Sequence, residues 1–337
     1  MKKWSVVLLL MCLSLCAHGA FAASRSGTVS MDFDLSGQKA GEEVRLWIPY
    51  PVSDADQLIT DIKVTGDYSE SAVYTDRINQ TPMLFVRWDK DASSRKMTFA
   101  FHAERLEVVR KYIPGSLVCW DQSAFKPYLA GTRLGPIDGD VKKLADRITE
   151  GKKTVEGKVR AIYDWTCANM HRDPDTPGCG IGDVPALLEK LGGKCTDISS
   201  VFIALCRASG VPAWEIFGLR LGKKAEEDIT GYQHCWAEFY LPGYGWAPVD
   251  PADVRKAMLV ENLKLEDPKT AEYKSYFWSG IDPYRIKIAV GRDVVLNPPQ
   301  SGEPLNGLAY PFAQVGNKTI DWLDPASFKY KFTFKEG

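Results

Sequence analysis

The apolar residues of this chain change their spacing partway along it, and that change limits the folds open to the sequence. Between 26 and about 110 they recur every second residue. Val29, Met31, Phe33 and Leu35 alternate with Ser30, Asp32 and Asp34, and Met97, Phe99 and Phe101 alternate with Thr98 and Ala100. A period of two places one set of side chains on one face of a sheet. Val44, Leu46 and Ile48 form a further strand closed by Pro51, and polar clusters at Gly37-Gln38 and Asp89 to Ser94 supply turns. Several short strands with polar turns predict an antiparallel β-sandwich over 23–110. Residues 111–140 carry Pro114, Pro127 and Pro136 and read as a connecting segment, with Cys119-Trp120 an unusual pair for a plain linker.

From 141 the period becomes helical. Val141, Leu144 and Ile148 share one face, as do Val155, Val159, Ile162 and Tyr163, with Thr154 as N-cap. Asp183 caps a short helix through Leu187, Leu188 and Leu191, which Gly192-Gly193 end. Ile198, Val201, Phe202 and Leu205 follow i, i+3, i+4, i+7 on a helix that starts near Cys195 and stops at Gly210. Strands are expected over 213–221, 234–241 and 246–250. The tail, 256–337, reads as β-rich: Ile286, Ile288 and Val290 alternate, and so do Phe328, Tyr330, Phe332 and Phe334.

The first 22 residues have the layout of a signal peptide: Lys2 and Lys3, an apolar run from Val6 to Cys16, and the small-x-small site Ala20-Phe21-Ala22. The run is too short to span a bilayer, and no later stretch is long and apolar enough. The chain is therefore expected to be exported, to the periplasm or beyond, after cleavage near Ala22. A formal net charge of −1 gives no concentrated basic face for nucleic acid. Of the eight cysteines, Cys12 and Cys16 leave with the signal. Cys167 and Cys179, flanking a Pro/Gly-rich loop, make the best disulfide pair for an oxidising compartment. Paired C-x-x-C units are missing, so neither a structural zinc site nor any cofactor is expected.

The chemistry centres on Cys195. It follows Gly192-Gly193-Lys194 and opens a helix, whose free N–H groups and partial positive charge favour a thiolate. The same N–H groups can hold an oxyanion. Gly193 leaves room for a substrate backbone, and Asp197 in the first turn opposes the thiolate. His234 begins a strand on which Cys235, Ala237, Phe239 and Leu241 face the core, leaving His234, Trp236, Glu238 and Tyr240 on the other face. A three-residue loop, Pro242 to Tyr244, would pair Leu241 with Gly245 and Trp236 with Asp250. His234 and Asp250 would then be diagonal neighbours on one face, whereas a two-residue loop would separate them. A thiol, a histidine to take its proton and an aspartate to hold the histidine are the parts of an acyl-transfer triad.

Three blocks, Gly-Gly-Lys-Cys195-Thr-Asp with the helix through Gly210-Val211-Pro212-Ala213, His234-Cys-Trp-Ala-Glu-Phe-Tyr, and Gly245-Trp-Ala-Pro-Val-Asp250-Pro, resemble the bacterial transglutaminase-like superfamily in their order and spacing. The resemblance covers roughly residues 140 to 255. It implies an α+β fold with a papain-like core over 141–255, the N-terminal sandwich before it and the β-rich extension after it. It also implies that Cys195, His234 and Asp250 serve as nucleophile, base and orienting acid. The family often adds an upstream side chain at the oxyanion, for which Trp165 or Tyr163 would serve here. The expected substrate is a peptide or protein amide, with a cell-wall stem peptide among the candidates. Cys195 would form a thioester that water releases more readily than an amine takes it. Two other readings are a binding or scaffold module that keeps the fold without chemistry, and a metal hydrolase using His234 and Asp250. The latter is disfavoured by only four histidines in the chain. The oligomeric state is left open.

Overall fold

The computed structural model of the protein describes residues 23–110 and 120–337. The expected signal peptide with its cleavage site, residues 111–119 of the connecting segment and Cys119 lie outside the described residues.

Two five-stranded antiparallel sheets face one another. One runs Glu226–Asp228, Lys329–Glu336, Ser24–Asp34, Lys96–Leu106, Gln57–Gly66 in spatial order, and the other Lys318–Thr319, Phe312–Val315, Val44–Pro49, Pro82–Trp88, Glu70–Thr75. The alternation read from the sequence decides which residues go inside. Val29, Met31 and Phe33 of one sheet and Leu46, Ile48 and Val86 of the other meet in a single buried cluster. Strands from the C-terminal region complete both sheets, and the last of them lies directly beside the first, with Gly27 opposite Glu336. Residues 23–110 therefore supply three strands to each sheet of the sandwich.

A four-stranded antiparallel sheet forms the second centre, in the order Gly245–Val249, Gln233–Leu241, Ala213–Arg220, Arg285–Val290. The helix Cys195–Ala208 packs on it, and all fourteen of its residues are buried. Its cluster takes in Ile198, Val201, Phe202 and Leu205, the four positions of the predicted stripe, with Cys235, Ala237 and Phe239 from the neighbouring strand. Helices Gly139–Ile148 and Val155–Asn169 cover it, the latter capped by Thr154, whose side chain accepts from Gly157 N–H at 3.1 Å.

One local expectation fails in detail. The short helix Val184–Lys190 is ended not by the glycines but by Leu191, which adopts a left-handed conformation at φ 55°. Gly192 and Gly193 instead form a short parallel pairing with His171 and Arg172. That pairing carries Arg172 to the start of the Cys195 helix. Trp120 and Phe125 of the connecting segment pack against Tyr240, with ring centroids 5.7 and 4.2 Å away. None of these three residues lines the cleft described next.

Candidate active site

A cleft of about 910 Å³ opens between the start of the Cys195 helix, the first residues of the strand Gln233–Leu241 and the C-terminal segment around Tyr310 and Trp322. Cys195 and His234 both line it, and each is only 3 % exposed.

The hairpin register is the one the loop length predicts. Leu241 pairs with Gly245 and Ala237 with Val249, so Asp250 follows at the level of Trp236. His234 Nε2 lies 2.7 Å from Asp250 Oδ2, and both side chains are buried. Asp250 also caps the helix Pro251–Val260, its Oδ1 accepting from Asp253 N–H at 2.8 Å. The carboxylate is thus held from two sides before the imidazole reaches it.

Three further charged groups surround this pair, and sequence reasoning missed all of them. Asp253 sits 3.5 Å from His234 Nε2 and takes a two-pronged ion pair from Arg220 at 2.6 Å. Arg285, with no exposed surface, is ion-paired to Asp250, lies 3.5 Å from Asp253 and 2.8 Å from Asp282. Burial raises the Asp250 carboxyl, but the charges of His234 and Arg285 outweigh it and hold the group below its usual range. The Asp253 carboxyl is held well below: burial raises it, and Arg220, His234 and Arg285 more than compensate. For His234, burial and Arg220 disfavour the charged ring, while Asp253 and Asp250 favour it more strongly, so its pKa is raised above 6.5.

The sign of the resulting pH dependence follows. A raised histidine contributes stability that is fully present below about pH 6.5 and is lost as pH rises through the folded-state value. Urea midpoints of the wild-type protein are expected to fall as pH rises from 6 to 9. In His234→Gln that alkaline decline should shrink; an unchanged slope would show that the ring is neutral in the fold.

Asp197 opposes charge on Cys195, so that burial and that charge together raise its own carboxyl, and it has a structural role as well. Its carboxylate is turned back onto the chain, accepting from Lys194 N–H at 2.9 Å and Gly182 N–H at 2.8 Å. It thereby ties the loop 178–182 to the helix start. Gly193 is required for this contact: a Cβ there would overlap the Asp197 side chain, as would one on Gly180, which also sits at φ +86°. Gly180→Ala is therefore expected to lose about 3 kcal/mol, read as a lower urea midpoint. A variant as stable as wild type would mean the loop is not tied down this way. A buried Glu215–Arg292 pair at 2.5 Å supports the same loop, with Arg292 Nη1 donating to Gly182 O at 3.2 Å.

The cysteines depart from the expected pattern. Cys167 and Cys179 are not joined; both are free thiols. Cys167 lies inside the helix Val155–Asn169, where burial pushes its thiol up to about 12. Cys179 instead lies with Cys195 and Cys235, the three sulfurs all within 4.8 Å of one another. Hydrogen bonds from Cys195 and Cys235 hold the Cys179 thiol well below its ordinary range against the effect of burial, helped by the Tyr310 hydroxyl at 3.3 Å. Burial, with the neighbouring sulfurs, pushes Cys235 well above it. The backbone O of Cys179 also accepts from Thr196 N–H at 2.9 Å, so that helix-end donor is already occupied.

Neither Tyr163 nor Trp165 stands at the cleft. The Tyr163 ring is fully buried against Trp278, and its hydroxyl donates to Lys274 O at 3.0 Å. Trp165 packs on the core. Both lie on the helix Val155–Asn169 behind the sulfur cluster, where an apolar stripe places them. The cleft's amide side chain is Gln233, directly before His234, 7 % exposed and with both its nitrogen and its oxygen unpartnered.

Residues 142–251 match the model of the transglutaminase-like superfamily. An uncharacterized protein of Haemophilus influenzae is 34% identical over 331 residues, covering 90% of this chain and 89% of that one. A protein-glutamine gamma-glutamyltransferase of Pseudomonas aeruginosa is 24% identical over 177 residues, 48% of this chain but only 26% of that protein. Among solved structures, one from Cytophaga hutchinsonii, described as a candidate cysteine protease, covers 93% of this chain and 99% of its own at 18% identity and a TM-score of 0.56. That likeness extends the shared fold beyond the matched core to nearly the whole molecule.

Proposed function

Because the chain belongs to the transglutaminase-like superfamily, we propose that it is an exported cysteine enzyme that hydrolyses an amide bond through Cys195, His234 and Asp250. The observation that carries this reading is the buried 2.7 Å contact between His234 and Asp250 in the same cleft wall as a cysteine at a helix start. Asp250 engages Nε2 of the ring, which leaves Nδ1 to share the proton of the Cys195 thiol. The thiolate attacks the amide carbonyl, and the oxyanion is met by N–H donors at the helix end. His234 returns its proton to the departing amine, giving a thioester on Cys195. Water, deprotonated by the same ring, releases the acid. Peptides and cell-wall stem peptides are the substrate class this reading favours. Export rests on the features of the first 22 residues, and no helix among the described residues is long and apolar enough to cross a membrane.

Mass spectrometry of the protein quenched in acid during turnover of stem peptides tests the reading. An acyl adduct on the Cys195 peptide is expected, and a primary amine added in excess should divert little of the product. If the amine captures most of the acyl group, the protein is a transferase and not a hydrolase. Absence of any adduct on amide or ester substrates would remove the nucleophile. Fractionation of a Gram-negative host should place the protein outside the cytoplasm with a mature start close to Ala23; a full-length cytoplasmic chain would rule out export.

A further inference from the structure

Most charged groups lining the cleft are already satisfied. Arg220 is held by Asp253, Asp282 by Arg285, and Glu227 by the Tyr232 hydroxyl and two backbone N–H groups. Lys223 lies over the Tyr284 ring at 5.5 Å. Three cations are different. Arg172, Lys194 and Lys256 line the cleft, and none of them is within ion-pair distance of a carboxylate among the described residues. Arg172 Nη1 is buried with no partner at all. A guanidinium cannot shed its charge, so a buried N–H of this kind is costly unless something fills the place in front of it. Lys256 is half-buried, and burial lowers its pKa, as expected of an ammonium that lacks a counter-ion.

Their position is set by the backbone. Arg172 pairs with Gly193, two residues before the nucleophile, and Lys194 precedes it directly. The charge of Lys256 is felt at Cys195. Gln233 adds a neutral group: its unpartnered amide offers N–H donors and a carbonyl acceptor, the complement of a peptide unit. Asp197, the carboxylate nearest in sequence to Cys195, is already committed to Lys194 N–H and Gly182 N–H.

We infer that the cleft selects peptides bearing a free carboxylate close to the scissile amide, held by Arg172 with Lys194 and Lys256 around it. Arg172 supplies the directional contact, since two N–H groups of a guanidinium match the two oxygens of a carboxylate. The two lysines supply charge that draws the anion in. This rests on the reading of Cys195 as nucleophile, and it narrows the substrate from any peptide to acidic ones, in which a terminal or side-chain carboxylate sits beside the bond that is cut.

Two alkylating agents of nearly the same size separate the inference from the reading beneath it. Iodoacetate carries the carboxylate and iodoacetamide does not. Rates at the Cys195 peptide are followed by mass spectrometry for both, with a small free thiol as reference. The ratio of iodoacetate to iodoacetamide rates is expected to exceed that of the reference by about ten-fold at low salt. It should fall toward the reference value at high salt, and also in Arg172→Gln and in Lys256→Met. A ratio equal to that of the free thiol in the wild-type protein would overturn the carboxylate site, whatever the absolute rates. The iodoacetamide rate alone reads the nucleophile: slow labelling with a high ratio would sink the catalytic reading and keep the anion site. The salt dependence is measured on wild type, so the result does not depend on either variant folding. An acidic peptide and its amidated counterpart should then differ in KM by about ten-fold or more, with kcat less affected.

Discussion

Cys195→Ala is expected to lower kcat/KM on an acidic peptide by about 10⁴-fold or more, because a lost nucleophile removes the covalent route entirely. Stability should hardly change. The substitution deletes one sulfur from a residue that is 3 % exposed and borders the cleft, with two other sulfurs among its neighbours. The cost is about 1 kcal/mol, a few degrees in Tm for a chain of this size. The pairing of those two results matters. Lost activity with a large drop in Tm would report misfolding and leave the role of Cys195 open. Retained activity in a stable variant would contradict the mechanism, and the first place to look would be Cys179, whose sulfur lies within 4.8 Å and lines the same cleft.

The second large effect is expected behind the His234–Asp250 pair, at a residue that does not line the cleft. Arg285→Met keeps most of the side chain's length and removes its charge from a position with no exposed surface. Asp250 and Asp282 would each lose one of their ion-pair partners, and Asp253 a nearby positive charge. Breaking one member of a buried ion network leaves uncompensated charge, at a cost of about 3–5 kcal/mol. The Tm is expected to fall by on the order of 10 °C. The acid side sharpens the test. Asp250 and Asp253 have folded-state values below their ordinary ones, so their contribution is present above about pH 4 and disappears as pH falls through the folded values. Without Arg285 those depressions shrink, and acid unfolding should begin at a higher pH than in wild type. If Arg285→Met unfolds in acid at the wild-type pH, Arg285 does not set these carboxylates.

What could be read from the chain alone follows a physical line. Periodic features were legible, because alternation and the i, i+3, i+4, i+7 stripe report directly on burial: the strands, the Cys195 helix and its buried face all lie where the spacing put them. The His234–Asp250 contact was legible too, since it depends only on the length of one turn and a period of two. Arg285 was hidden in a strand that showed only Ile286, Ile288 and Val290, and its partners lie on other elements. Arg172 belongs to no apolar pattern, and its place beside Cys195 depends on a two-residue parallel pairing that carries no periodic signal. The Cys167–Cys179 bridge failed because a short separation along the chain says nothing about which way two sulfurs point, and the helix carrying Cys167 directs its thiol into the core. Tyr163 and Trp165 failed for a related reason: an aromatic on an apolar stripe is spent on packing.

The pairing of Lys329–Glu336 with Ser24–Asp34 has a consequence for the cleft. Lys329–Glu336 joins Ser24–Asp34 on one side and Glu226–Asp228 on the other, and Glu227 belongs to the wall of the cleft. That wall is held by a strand far downstream of it, so Glu227 keeps its place in the cleft only while Lys329–Glu336 stays paired. A cut between Phe328 and Lys329 would free that strand and loosen the groove without touching Cys195, His234 or Asp250.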